Sequence, residues 1–248
     1  LGASTDEAQV NVAIQVAEQL SDFLLSGGVT NALNMPSLSA EEAPRLKPYM
    51  ALAERLGSLI GQLDSDGTKS VTVEVEGAAA QLNIKPITAA VLAGLMRTHS
   101  DTVNMVNAPH LAREREIEIA EVRHERETDY HTLLRVTVKT DHGSRTVAGT
   151  LFGMSKPRLT DIFGITVEAD LGGDMLYIVN EDKPGFIGRL GAALGEAGVN
   201  IGTFHLGRRD AGGEAVLLLS VDSAIPDPLL ASICRLPGVK DVKALHFA

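Results

Sequence analysis

The stretch Asn180-Glu-Asp-Lys-Pro-Gly-Phe-Ile-Gly188 holds the residue types best suited to chemistry. An apolar run from Met175 to Val179 leads into it and an amphipathic run follows. The order therefore reads strand, Pro-Gly turn, helix. A helix start leaves backbone N–H groups without partners and carries partial positive charge, which suits a small carboxylate. Acidic or amide side chains on the last residues of the strand could hold an ammonium. Together the two halves would bind a free amino acid. The same residues also serve an ordinary β-to-α turn, because Asp, Pro and Gly are turn formers. The local pattern leaves both readings open.

Other chemistries lack their residues. No Gly-x-Gly-x-x-Gly follows a strand; Gly185, Gly188, Gly191, Gly195 and Gly198 stand at other spacings, and most lie along the expected helix, where they suit close packing on a sheet. No His-Glu-x-x-His occurs, and the seven histidines lack compact ligand spacing. Cys234, the one cysteine, can form neither an internal disulfide nor an iron–sulfur cluster. Between Ile233 and Leu236 it reads as a buried core residue. Asp129, His131 and His142 read as hairpin and turn residues. No complete catalytic constellation is visible. A net charge of −10 without a basic run argues against nucleic acid and anionic membranes as partners. No apolar run reaches membrane-spanning length and no signal peptide is visible, and the cysteine usage fits a reducing cytosol. The chain starts at Leu1 and not Met, as expected of a piece of something longer.

The elements that must position these residues read as follows. Ser4 to Ser26 is a helix, with Ser4 and Glu7 at capping-box spacing, a stripe from Ala8 through Leu24, and Gly27-Gly28 as its stop. Residues 36–43 are a linker. A second helix runs Ala40 to Leu63, and Pro48 predicts a kink or a later start. Lys69 to Glu76 alternates Val71, Val73 and Val75 with Thr72, Glu74 and Glu76, as a half-buried strand does. A helix over Pro86 to Thr98 and a short strand over Thr102 to Val106 follow. Asn107 to His110 turns into a short helical segment. Strands are expected at Ile117–Arg123, Leu133–Thr140 and Arg145–Phe152, with one more over Arg158–Glu168. The charge run from Arg113 to Glu127 is mixed in sign and reads as a solvated face. After Gly172-Gly173 the order strand, helix, strand, strand, helix, strand gives a βαββαβ unit, the ferredoxin-like pattern.

Two regions carry a family resemblance. Leu1-Gly-Ala-Ser-Thr-Asp-Glu-Ala-Gln9, Val12-Ala-Ile-Gln-Val-Ala17 and Thr30-Asn-Ala-Leu-Asn-Met-Pro36 resemble the end of the catalytic half of D-3-phosphoglycerate dehydrogenases. The Asp182-Lys-Pro-Gly185 turn and Gly198-Val-Asn-Ile201, set in the βαββαβ order, resemble an ACT domain, a small amino-acid-binding module. The middle region is similar to the intervening, allosteric substrate-binding domain of the longer form of that dehydrogenase. A related domain occurs in iron–sulfur L-serine dehydratases. The resemblance implies three parts: 1–36 as the tail of a catalytic half, 37–172 as a mixed α/β intervening domain, and 173–248 as an α+β ACT domain.

It also implies roles. The family's catalytic histidine precedes the residue matching Leu1, so no catalytic residue falls in this chain. Leu1, Gly2 and Ala3 would lie near the nicotinamide end of NAD in the intact enzyme, and no cofactor is expected for this chain alone. Asn180, Asp182 and Asn200 match positions that bind L-serine between two ACT domains in serine-regulated relatives. Carboxylate capture would fall to the N–H groups of Phe186 and Ile187, the ammonium to Asp182, and a bridging role to Asn200. Asn180 stands where relatives often carry histidine or tyrosine, and Asp182 where some carry asparagine. Lys156 and Arg158 would form an anion site in the intervening domain, although Ile165 to Asp170 is acidic where some relatives carry arginine. The expected function is the regulatory C-terminal part of a cytoplasmic, NAD-dependent dehydrogenase of L-serine biosynthesis. Its expected partners are an amino-acid effector, the upstream catalytic half and further copies joined through ACT domains. The alternatives are a stand-alone amino-acid-binding module and the regulatory chain of a serine dehydratase.

Overall fold

The computed structural model describes residues 4–33, 37–125 and 130–247. Helix α1 (Asp6–Ser26) opens the described chain. Its cap is Thr5, one residue later than the capping-box spacing suggested. Thr5 Oγ1 accepts from the Ala8 N–H at 3.2 Å, and Asp6 and Glu7 complement the positive end of the helix. Gly27 closes the helix in the left-handed region at φ 79°, with its N–H on Phe23 O. No residue of α1 is buried; Val16, Leu20, Phe23 and Leu24 all face solvent. A short antiparallel bridge, Val29 to Leu38, then leads into the core.

Helix α2 (Ala43–Leu63) starts three residues later than Ala40, with Pro44 in its first turn, and runs through Pro48. It packs against α3 (Ile84–Arg97), whose residues are buried almost all round. Glycines let the two backbones touch. A methyl on Gly61 would sit 2.5 Å from Leu95 O, and one on Gly94 would overlap the Glu54 carbonyl oxygen. Both helices cover one face of a six-stranded sheet. Its strands are β1 (Ser70–Gly77), β2 (Glu118–His124), β3 (Thr132–Thr140), β4 (Gly143–Phe152), β5 (Lys156–Ile162) and β6 (Ile165–Ala169). The order is β2-β1-β3-β4-β5-β6, with β1 and β2 parallel and the rest antiparallel. Val71, Val73 and Val75 are fully buried against the helices, as their alternation predicted.

Two expectations in this region are corrected. Residues Thr102–Val106 form no strand. Asn104 Oδ1 accepts the Val106 N–H at 2.9 Å and Asn107 Oδ1 the Asn104 N–H at 2.8 Å, so side chains take the bonds a ladder would need. They lead into α4 (Ala108–Glu114). The single strand expected over Arg158–Glu168 is a hairpin. Phe163 (φ 55°) and Gly164 (φ 80°) form its turn, and Asp161 Oδ1 accepts from the Gly164 N–H.

The expected βαββαβ unit is observed: β7 (Gly173–Glu181), α5 (Phe186–Glu196), β8 (Ile201–Arg208), β9 (Glu214–Val221), α6 (Asp227–Cys234) and β10 (Val239–Phe247). Its antiparallel sheet has the order β10-β7-β9-β8. Leu176, Ile178, Leu217 and Leu219 pack under α5 and α6 with Phe186, Leu190, Leu194 and Ile233. The opposite face, through Met175, Tyr177, Val216, Leu218, Leu245 and Phe247, joins the core of the six-stranded sheet. Cys234 is exposed and not a core residue; the adjacent Ile233 is the one that turns inward.

Candidate functional site

Alternation along β7 places Asn180 on the face that carries Leu176 and Ile178 beneath α5. Asn180 is 2% exposed and does not end the strand, which continues to Glu181. Its Nδ2 donates to Glu181 O at 2.7 Å. Its Oδ1 has no donor, the one buried side-chain polar atom so placed among the described residues. An unmet buried acceptor of this kind costs about 1–3 kcal/mol. An N–H or O–H brought to it would remove that cost.

The turn after β7 is fixed by backbone bonds: Glu181 N–H to Gly238 O and Asp182 N–H to Gly213 O, both at 2.8 Å. Gly185, at φ 85°, starts α5 without any side-chain cap. Phe186 is buried and anchors the helix start, with its N–H at 3.4 Å from Lys183 O, while Ile187 beside it is 53% exposed. The first turn of α5 thus lacks a side-chain cap and follows a strand whose last residue but one, Asn180, holds an unmet acceptor. These are the two halves that an amino-acid zwitterion needs.

Asp182 is committed elsewhere. Its Oδ2 accepts from Arg208 Nη1 at 2.7 Å and from the Gly212 N–H at 3.2 Å. The Arg208 hydrogen bond, then that of Gly212, holds its carboxyl below the usual carboxylate range. It ties the end of β7 to the end of β8 and the loop after it, which leaves Asp182 Oδ2 engaged within the protein. Arg208 is the residue that sequence reasoning missed; its signal was a cation closing a strand before a glycine-containing turn.

Asn200 does not join the others within one chain. Ile201, the next residue, is level with Val221 and Asp174, whereas Arg208 and Asn180 are level, both opposite Ala215, at the other end of the sheet. The separation along β7 is the six residues from Asp174 to Asn180, ~20 Å at the usual rise per residue. The strand that follows a crossover helix runs parallel to the one before it, so its start cannot meet the first strand's end. Asn200 Nδ2 donates to Asp222 Oδ2 at 2.7 Å.

The second candidate is also altered. Arg158 is ion-paired with Asp170 and lies 5.9 Å from the Phe152 ring, so the acidic stretch neutralises half of the expected basic pair. Lys156 is exposed at the start of β5. Burial, then the charge of Arg158, pushes the His205 imidazole below its ordinary value. Leu1, Gly2, Ala3 and Asp129 lie outside the described residues. No cluster of metal-ligating side chains occurs among the described residues. No Gly-x-Gly-x-x-Gly joins a strand to a helix among them either.

Residues 45–163 match the family model of the D-3-phosphoglycerate dehydrogenase intervening domain, and residues 175–238 match that of the ACT domain. The chain is 36% identical over 246 residues to the D-3-phosphoglycerate dehydrogenase of Bacillus subtilis, covering 99% of this chain and 47% of that protein. It is 37% identical over 243 residues to the enzyme of that name from Synechocystis, covering 97% and 44%. The corresponding protein of Methanocaldococcus jannaschii is 33% identical over 246 residues, covering 99% and 47%. The chain spans about half the length of the curated relatives it matches.

Proposed function

Since the chain belongs to the D-3-phosphoglycerate dehydrogenase family, in the part that carries the intervening and ACT domains, we propose that it regulates such an enzyme by binding a free amino acid, L-serine, at the start of α5. The observation that carries this reading is the buried, unmet Asn180 Oδ1 beside an uncapped helix start. The effector's ammonium meets Asn180 Oδ1, and its carboxylate meets the N–H groups of the first turn, at Phe186 and Ile187. In the intact enzyme, NAD-dependent oxidation of 3-phosphoglycerate, the entry to L-serine biosynthesis, belongs to an upstream half. The division 1–36, 37–172 and 173–248 assigns this chain a tail of that half, the intervening domain and the ACT domain. A cytoplasmic location fits that role, and no described helix is long and apolar enough to cross a membrane.

Asn200 enters through a second copy. Strand β8 is the outer strand of its sheet. Pairing it antiparallel with β8 of another copy about a two-fold axis brings that copy's Asn200 next to Arg208, and so beside Asp182. Ile187 (53%), Phe204 (37%) and Leu206 (39%) are exposed apolar residues flanking this edge, and they support such a pairing. Effector binding then favours the paired arrangement by its differential affinity for the two states. Calorimetric titration of the purified chain with L-serine tests the reading. Saturable binding at about millimolar affinity or tighter, lost in Asn180→Ala, supports it. Absence of heat at that concentration removes serine as the effector.

A further inference from the structure

A cleft of about 720 Å³ opens where the two domains meet. The ends of α2 and α3 line it from one side and β10 from the other, and its size and place at a domain junction suit a small molecule. Strand β10 is an outer strand, so every second residue turns its N–H and C=O away from β7. Two such residues are occupied. The Val242 N–H donates to Asp241 Oδ1 at 2.9 Å. The His246 N–H donates to Gln62 Oε1 at 2.8 Å, and His246 O accepts from Gln62 Nε2 at 3.0 Å. The Gln62 carboxamide stands where a peptide unit of a further strand would stand. Ala244 lies between these two with the same parity; it is exposed and lines the cleft.

The charges single out Lys243. Two other charged groups in the cleft have partners, Arg97 with Glu54 and Asp64 with Arg145, and the His246 ring is bonded to Asp174. Lys243 is half-buried and has no ion pair among the described residues. A half-buried ammonium next to an outward-turned N–H calls for a carboxylate. The wall made by the helix ends carries Asp66 and Asp101, and the carbonyl ends of two helices add negative potential there. That wall suits a donor: an ammonium or a hydroxyl.

We propose that this cleft is a second small-molecule site for a short carboxylic acid with an ammonium or hydroxyl on the adjoining carbon. The carboxylate sits on Lys243 and the Ala244 N–H, and the donor faces Asp66 and Asp101. This site is separate from the one at the start of α5, and its ligand touches both domains.

The test is amide NMR of the 15N-labelled chain, titrated separately with L-serine and D-glycerate to distinguish the two donor types. At least one acid is expected to move the Lys243 and Ala244 amides saturably, in the parent and equally in Asn180→Ala. Lys243→Gln is expected to weaken that response about tenfold, one factor of ten in Kd. Ala244→Pro, which an outer strand tolerates, removes the N–H donor and is expected to act the same way. A parent chain whose Ala244 amide responds to neither acid overturns the proposal. So does a response left unchanged by Lys243→Gln in a chain whose far-ultraviolet dichroism matches the parent.

Discussion

Asn180 is a buried amide with one oxygen unmet, and an apolar residue of similar volume should serve the fold at least as well. Glu181 O keeps a partner without it, because it also accepts the Lys183 N–H at 2.8 Å. Asn180→Leu should therefore leave the melting temperature unchanged or raise it while abolishing L-serine binding. Melting and titration of one variant check both halves, and a lowered melting temperature would assign the amide to structure. Asp182 predicts the reverse. Its folded-state carboxyl titrates below the ordinary 3.8 because of Arg208 and Gly212. The bridge therefore contributes in full above that value, and its contribution is lost as pH falls through the depressed one. Asp182→Asn should lower the melting temperature at pH 7 relative to the parent, and the gap should narrow as pH drops below 3.8. A gap that is the same at every pH would contradict the pairing.

At the scale of elements, the closest contact is between α2 and α3, where glycines replace side chains at the crossing. Gly94→Ala puts a methyl against the Glu54 carbonyl and should cost about 1–3 kcal/mol of overpacking, despite the gain in helix propensity. Urea unfolding measures this, and an unchanged midpoint would show that the helices can part. Much of this layer was legible in the sequence. Period-two valines gave β1, the Pro-Gly turn gave the start of α5, and the βαββαβ order was read correctly. What was hidden has physical causes. Asn104 and Asn107 bond to the backbone locally, and no periodicity reports that. Phe163 adopts a positive φ that its residue type does not announce. The distance from Asn180 to Asn200 follows from strand direction and not from residue spacing, so reading the two strand ends as neighbours set together residues that one chain holds apart.

For the whole molecule, the two sheets share one core. Met175, Tyr177 and Leu245 of the second sheet belong to the same cluster as Val71 and Leu56. On one flank Gln62 binds the backbone of β10, and on the other Gly207 lies so close to β6 that a side chain there would overlap the Thr166 carbonyl. The two domains should unfold in one transition, seen as coincident loss of far-ultraviolet dichroism and of hydrogen-exchange protection in β1 and β7. Only α1, which buries no residue, should exchange faster. With the core shared in this way, the proposed effector would act by changing how copies associate, and not by moving one domain against the other.

That claim has a direct measurement: mixing two defective chains. Asn180→Ala alone and Asn200→Ala alone should each fail to bind L-serine. After unfolding and refolding together, half of the pairs are mixed, and each mixed pair holds one site with both asparagines intact. Titration should then recover about one quarter of the parent's sites at the parent's affinity. No recovery, with both variants folded and paired, would contradict a site shared between two copies.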